Sequence, residues 1–427
     1  MLMNIALISY HTCPLATLGG KDTGGMNVYV RDLTRYLGEM GIHADVFTRS
    51  QDEHVPHVLH DLGFGNRIVH IPAGPETPLP KEELYKYVDV FSDNIVQFAA
   101  SKNIHYDLIH SHYWLSGLAA IKLRARWNTP ILHMFHTLAH LKNEIARSPD
   151  EMEGPLRLES EKKIVDEVDG IIAATEIEQE QLRQHYAADT HKIRIVPPGV
   201  DLTRFYPIPQ DEAKAVIGIP SNEKVILFVG RIEPLKGIDN LLKSIAFLRK
   251  SDALTTCPHY VAIIGGDPDK PRDLLDREMR HLQDLNKRLG LDDMVVFLGK
   301  KAQDSLPYYY SAAEVVVMPS HYESFGMVAL EAMACGTPVI ATRVGGLQML
   351  VNDGVTGLSV PDDDPQMLAK QLMQILCEQG LRTKLRQNGL AFAQDFSWSI
   401  ITNSLVKIYK DLLSANVSGH LPDPTHV

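Results

Sequence analysis

Cysteine is scarce. The chain of 427 residues has four, Cys13, Cys257, Cys335 and Cys377. No CxxC joins any of them, so neither a zinc site nor a disulfide framework is encoded, and a reducing, cytoplasmic setting is the expectation. No apolar run approaches the ~18 residues of a membrane helix. The start, Asn4-Ile5-Ala6-Leu7-Ile8-Ser9, lacks a basic leader and reads as a first strand rather than an export signal. A basic excess is missing too: 42 Lys and Arg stand against 53 Asp and Glu, a net charge of −11. That excludes a general polyanion binder and so excludes nucleic acid as a partner, while leaving room for a small phosphate pocket. Low-complexity tracts and short-period repeats are absent.

What is present is alternation. Short β-branched runs at Asn4–Ser9, His43–Thr48, Arg67–Ile71, Leu108–Ser111, Ile131–Phe135, Gly170–Ala174 and Ile193–Val196 are separated by amphipathic stretches. Between the first two, Val30, Leu33, Leu37 and Met40 recur at helical spacing, and Gly41 stands where a helix stops. This is the βαβ pattern of a parallel sheet covered by helices. After Pro197-Pro198-Gly199 and Pro207-Ile208-Pro209 the pattern restarts, at Lys224–Val229, Tyr260–Ile264, Met294–Leu298, Val315–Pro319 and Pro338–Ala341. The expectation is an α/β protein of two doubly wound, Rossmann-like domains, 1–200 and 201–395, facing across a cleft. A further helix follows in 396–414, with its core at Ser397–Leu413, and then a mobile tail at 415–427.

Three motifs carry chemistry. Leu18-Gly19-Gly20-Lys21-Asp22-Thr23-Gly24-Gly25-Met26-Asn27 follows the first strand. It is either a plain strand–helix loop or an anion cradle at a helix N-terminus, and it matches neither GxGxxG nor the P-loop pattern. Gly230-Arg231-Ile232-Glu233-Pro234-Leu235-Lys236-Gly237 sets two cations at a strand end, suited to a departing diphosphate; a pair of surface cations is the plainer alternative. In Pro319-Ser320-His321-Tyr322-Glu323-Ser324-Phe325-Gly326-Met327 the helix is expected to begin near Phe325, with Glu331 about two turns on. Its free first-turn amides suit a phosphate or a sugar hydroxyl, and a carboxylate within it suits a vicinal diol.

Arg231 and Lys236 followed by Glu323-Ser324-Phe325-Gly326 and Glu331-Ala332 resemble the retaining nucleotide-sugar glycosyltransferases of family 4, which have the GT-B fold. The likeness runs from about Asn4 to Leu413. It implies an acceptor domain followed by a nucleotide-sugar domain, with the last helix returning to the first. By it, Arg231 and Lys236 hold the donor diphosphate, Glu331 the ribose, and Glu323 the transferred sugar beside Ser324, Phe325, Gly326 and Met327. Gly24 and Gly25 also face the donor, the main chain from Leu298 to Lys300 holds the base, and His136 binds the donor sugar. The catalytic set is then His136, Arg231, Lys236 and Glu323.

Among 19 histidines, His110, His112, His133, His136 and His140 invite a metal reading, yet they lack acidic or cysteine partners at ligand spacing. No metal site is expected. Leu79-Pro80-Lys81-Glu82-Glu83-Leu84, His110-Ser111-His112-Tyr113-Trp114 and His136-Thr137-Leu138-Ala139-His140 resemble, within the family, the N-acetylglucosaminyltransferases that act on inositol phosphate in mycothiol biosynthesis. That likeness implies an acceptor-phosphate pocket of Lys81, Tyr113, Thr137 and Arg157, with Asn27 beside it. Two cations and two hydroxyls suit a phosphate. Sucrose-phosphate synthases share much of the pattern, usually with Gln where Met26 stands, and are the alternative.

The reaction so implied moves glucose or N-acetylglucosamine from a UDP-sugar to a small phosphorylated acceptor, with retention. No cofactor is required. Asp267-Pro268-Asp269 spells DxD but sits in a proline-rich loop and reads as a turn, so Mg2+ is allowed without being essential. A sugar-nucleotide epimerase, a phosphorylase and a non-enzymatic sensor are the rival classes. A homodimer is compatible with the sequence and is not encoded by any motif in it.

Overall fold

The computed structural model describes residues 3–17, 23–250 and 259–418. Eight strands form one sheet: β1 (Asn4–Ile8), β2 (His43–Arg49), β3 (Val58–Leu59), β4 (Arg67–Ile71), β5 (Leu108–His112), β6 (Ile131–Met134), β7 (Gly170–Ala173) and β8 (Ile193–Ile195). Their order is β3-β4-β2-β1-β5-β6-β7-β8, and only β3, against β4, is antiparallel. Ile5, Ala6, Leu7 and Ile8 are all fully buried, because helices cover both faces and a parallel strand has no polar side.

A second sheet holds β9 (Lys224–Val229), β10 (His259–Ile264), β11 (Val295–Gly299), β12 (Val315–Met318), β13 (Val339–Thr342) and β14 (Leu358–Val360), ordered β11-β10-β9-β12-β13-β14. Every pair in it is parallel. Its core gathers Ile226, Phe228, Val261, Ile263, Val315 and Val317 from the strands with Leu241, Ile245, Leu368 and Leu372 from covering helices. Strands β3 and β14, two and three residues long, escape the sequence reading.

The chain divides into two compact units. Unit 1 holds the first strand region up to Ala16, then Gly25–Pro198 and the chain from Trp398; unit 2 holds Gly199–Ser397 together with Gly24. The last helix, Trp398–Ser418, outruns the expected Ser397–Leu413 and occupies the start of the stretch expected as a mobile tail. Residues 419–427 of that tail lie outside the described residues. The helix is bound into unit 1 by Trp398, fully buried and edge-on to Tyr29 at 5.2 Å, and by Tyr409, whose hydroxyl lies 2.8 Å from His110 Nδ1. Among the described residues no helix is long and apolar enough to cross a membrane.

Unit 1 buries three histidines completely: His110, His112 and His133. Burial pushes the His110 imidazolium down to about 3, and His112 and His133 well below their ordinary value, with neighbouring histidines adding to the effect. Unfolded, each would bind its proton near pH 6.5. The unfolded chain therefore takes up more protons as pH falls through that value, and folded stability is lost from about pH 6.5 downward. Glu178, which burial raises to about 7, acts in the opposite sense between that value and its unfolded pKa. His136, likewise lowered by burial to about 3, makes it one group against four, so the net sign follows the histidines. The urea midpoint of unit 1 is expected to be lower at pH 5 than at pH 7.5, and a midpoint that rises on acidification would contradict this.

Candidate functional site

In unit 2 the strand ends of β9 and β12 carry the two motifs side by side. β9 runs into Gly230 and Arg231, whose Nη1 donates to Glu233 Oε1 at 2.7 Å. A single 3-10 turn, Pro234–Lys236, then closes on Gly237 at φ +62°. A Cβ at Gly237 would stand 1.9 Å from the Pro319 carbonyl oxygen, so only glycine lets the basic turn lie against the loop after β12. The His321 N–H donating to Leu235 O at 2.9 Å locks the two together. The result is an ion pair between Lys236 Nζ and Glu323 Oε2, each side chain only 15% exposed.

Glu323 is held from its other flank by Gly345-Gly346. A Cβ at Gly345 would meet the Glu323 carbonyl oxygen at 1.9 Å, and the Gly346 N–H donates to that oxygen at 2.9 Å. Ser324 and the buried Phe325 lead to Gly326, which sits at φ +108°. That left-handed residue delays the helix, which spans Met327–Ala334 rather than starting near Phe325. Glu331, inside it, is buried and accepts a hydrogen bond at 2.7 Å from the Tyr310 hydroxyl, a partner that sequence reasoning missed.

Leu298 lies on β11 and Lys300 just beyond it; Lys300 Nζ donates to Asp267 Oδ2 at 2.9 Å. Lys300 and Lys270 hold the Asp267 carboxyl below the usual range. The partners of the DxD aspartate are thus lysines, and no group able to hold a metal ion occurs among the described residues. A Cβ at Gly24 would stand 3.4 Å from Arg231 Nε, in ordinary van der Waals contact, so Gly24 lies beside the guanidinium. Gly25 opens the helix Gly25–Glu39 of unit 1. Leu18, Gly19, Gly20, Lys21 and Asp22 lie outside the described residues.

In unit 1 the structure gathers Lys81, Tyr113, Thr137 and Arg157, the four residues expected to form the acceptor-phosphate pocket. The Arg157 guanidinium lies over the Tyr113 ring at 4.8 Å and Lys81 Nζ over the same ring at 5.7 Å. Arg157 Nη2 donates to the Thr137 carbonyl at 2.9 Å and its hydroxyl at 3.1 Å. Tyr113, at φ 76°, and His136, at φ 62°, are held in conformations that L residues rarely adopt. They sit where β5 and β6 end. Asn27 is buried, and its amide donates to Thr12 Oγ1 at 2.7 Å and Cys13 O at 2.8 Å, a brace of the turn after β1.

His136 Nε2 lies 3.0 Å from His112 Nδ1, and burial lowers the His136 pKa to about 3. It is neutral at pH 7 and serves as a hydrogen-bonding group. Two carboxylates also belong to this cluster. Glu161, fully buried, accepts from Arg157 Nε at 2.7 Å, from the Ala139 N–H at 2.9 Å and from the Tyr186 hydroxyl. Glu153 accepts from Arg157 Nη1 at 2.6 Å and pairs with Lys142. Arg157 and Glu161 stand one helical turn apart in Pro155–Glu167, and that i,i+4 spacing was the one signal available.

Comparison with known proteins identifies the family. The model of Glycosyltransferase Family 4 matches residues 23–204, and that of Glycosyl transferases group 1 matches 209–392. A D-inositol 3-phosphate glycosyltransferase of Saccharomonospora viridis is 40% identical over 412 residues, 96% of this chain and 94% of that protein. Among solved structures, the sucrose-phosphate synthase of Thermosynechococcus elongatus superposes with a TM-score of 0.87 at 36% identity, covering 97% of this chain and 100% of the other. Anabaena Alr3699/HepE, solved with UDP and glucose, shares the fold at 20% identity, with a TM-score of 0.73 over 96% of this chain and 99% of its own. With a GT-B fold, a basic turn locked to an acidic loop in unit 2 and both family models matched in order, the chain belongs to the family 4 glycosyltransferases.

Proposed function

We propose that this glycosyltransferase is a hexosyltransferase that moves glucose or N-acetylglucosamine from a UDP-sugar to a small phosphorylated acceptor, with retention, and that inositol phosphate is the acceptor. The observation that carries the reading is the convergence of Lys81, Tyr113, Thr137 and Arg157. A buried arginine held in place by Glu161 presents a planar fork suited to the oxygens of a phosphate. The 40% identity to an inositol 3-phosphate glycosyltransferase supports the same choice. Sucrose-phosphate synthesis, with fructose 6-phosphate as acceptor, is the second reading, favoured by the 0.87 TM-score to such an enzyme. The Anabaena protein of this fold was solved with UDP, which makes UDP-sugars the first donors to test.

On this reading, departure of the diphosphate is the hard step. Arg231 and Lys236 take the charge that accumulates on it, and the first-turn amides at Met327 assist. Glu331, oriented by Tyr310, accepts the two ribose hydroxyls. Glu323, tied to Lys236, binds sugar hydroxyls; a carboxylate already paired with a cation is a poor covalent nucleophile. Retention then follows from attack on the face the diphosphate leaves. The acceptor oxygen bonds to the anomeric carbon as the carbon–oxygen bond to the diphosphate breaks, and the released phosphate oxygen takes the acceptor proton. Neutral His136 donates to or accepts from a sugar hydroxyl. The cations are the protein's own, and no metal is required.

A donor-by-acceptor matrix tests the assignment: UDP-glucose, UDP-N-acetylglucosamine and their ADP and GDP analogues against inositol phosphate, fructose 6-phosphate, malate and unphosphorylated inositol. Product is expected only with phosphorylated acceptors, and with the donor's anomeric configuration; donor conversion without an acceptor would point to an epimerase instead, and no turnover to a sensor. Lys236→Met is expected to lower kcat/KM by about 100- to 1000-fold, the usual effect of deleting one transition-state charge contact, and an unchanged rate would remove Lys236 from the diphosphate site. Activity is expected to survive exhaustive chelation with EDTA, which complete inactivation restored by Mg2+ would refute.

A further inference from the structure

The acceptor cluster of unit 1 is already occupied by an anion of its own. Of the bonds Arg157 makes, those to Glu161 and Thr137 run to groups built into the fold: Glu161 is fully buried and ties the Ala139 amide and the Tyr186 hydroxyl to the same point. Its bond from Nη1 runs to Glu153 instead, in the short segment between the turn Pro149–Glu151 and the helix Pro155–Glu167. The Glu153 carboxylate is 23% exposed and is shared with Lys142, itself 29% exposed. Burial alone would push the Glu153 carboxyl up, yet Arg157, Lys142 and Lys81 together hold it below the usual range. All three cations of the pocket thus act on this one carboxylate.

Its backbone, by contrast, is fixed. Asn143 accepts from the Glu153 N–H at 2.6 Å and donates to the Glu153 carbonyl at 3.1 Å. Turning this partly exposed side chain toward water would therefore need no movement of the backbone that carries it. Glu161 has no such freedom, because leaving would strand Arg157 and two other donors in the interior.

We propose that Glu153 is the displaceable counter-ion of the acceptor pocket: it stands on Arg157 and Lys142 until the phosphate of an acceptor takes those contacts, and this exchange selects dianionic acceptors over neutral ones. The proposal rests on the phosphorylated-acceptor reading above. With Glu153 in place, three cations face two carboxylates, and a neutral sugar offers nothing to replace the ion pairs it would break. A phosphate dianion replaces both and leaves Glu161 as the standing partner of Arg157. Glu153 thereby sets a threshold of charge for entry and lowers phosphate affinity in doing so. Lys142 joins Lys81, Thr137 and Arg157 as a phosphate ligand once the carboxylate has gone.

Calorimetric titration of the full chain, with UDP present, tests this with inorganic phosphate, D-inositol 3-phosphate and unphosphorylated inositol as probes. Glu153→Gln, which keeps the shape and removes the charge, is expected to bind both phosphates about tenfold more tightly than the wild type, and Glu153→Ala to shift in the same direction. Glu153→Asp, which keeps the charge, is expected to remain within about threefold of the wild type. Wild-type binding with no gain in Glu153→Gln and Glu153→Ala strikes this proposal and leaves the phosphate pocket standing. A loss confined to D-inositol 3-phosphate would also overturn it, by making Glu153 a ligand of the inositol hydroxyls. If Glu153→Asp gains as much as Glu153→Gln, geometry and not charge is at work and the proposal fails. If neither wild type nor variants bind either phosphate, the phosphorylated-acceptor reading itself falls, and this proposal with it.

Discussion

Parallel pairing decides where chemistry can sit in this chain. In a parallel sheet all strands leave at the same edge, so residues far apart in sequence are delivered to one rim within each unit. In unit 1 that rim brings Tyr113 from the end of β5 beside Thr137 from the end of β6, and His112 beside His136. In unit 2 it brings the turn after β9 against the loop after β12. Because both faces of each sheet are covered, the strands are largely apolar, and the groups that could do chemistry gather at their ends.

Charge is handled in the same economical way throughout. Net charge averages over a surface, whereas each cation of interest has a carboxylate assigned to it: Arg231 has Glu233, Lys236 has Glu323, and Arg157 has Glu161 and Glu153. Removing a guanidinium from water is expensive unless it is paired, and Arg157, at 3% exposure, has the fully buried Glu161 as its standing partner. An acidic protein can thus keep anion sites that its net charge of −11 would not suggest.

Legibility in the sequence tracks the distance over which a feature is assembled. The strands β1, β2, β4 to β13 announce themselves by apolar runs, and Arg231, Lys236, Glu323 and Glu331 by motifs a dozen residues long. Nothing local to Gly345 and Gly346 says that their closeness is to the Glu323 backbone. Tyr310 and Lys142 carry no local mark, because each acquires its meaning from a partner on another element, whereas Glu153 and Glu161 are marked only by their i,i+4 spacing to Arg157. The helix ends were misjudged for a simpler reason. Gly326 reads as an ordinary glycine until its left-handed backbone is seen, and Ala415 to Ser418 have too little to bury to look helical, although they continue a helix whose earlier turns are anchored by Trp398 and Tyr409.

The nested path of the chain bears on how the protein comes off the ribosome. Unit 2 is inserted, in sequence, between most of unit 1 and that unit's last helix. Its partners lie close along the chain, so it can complete itself while synthesis is still under way. Unit 1 cannot, since His110 waits for Tyr409, 299 residues downstream, and Tyr29 waits for Trp398. Until the final helix emerges, the nascent first unit holds an unclosed apolar seam, and the speed with which the intervening unit is translated sets how long that seam stays open to chaperones and to misfolding.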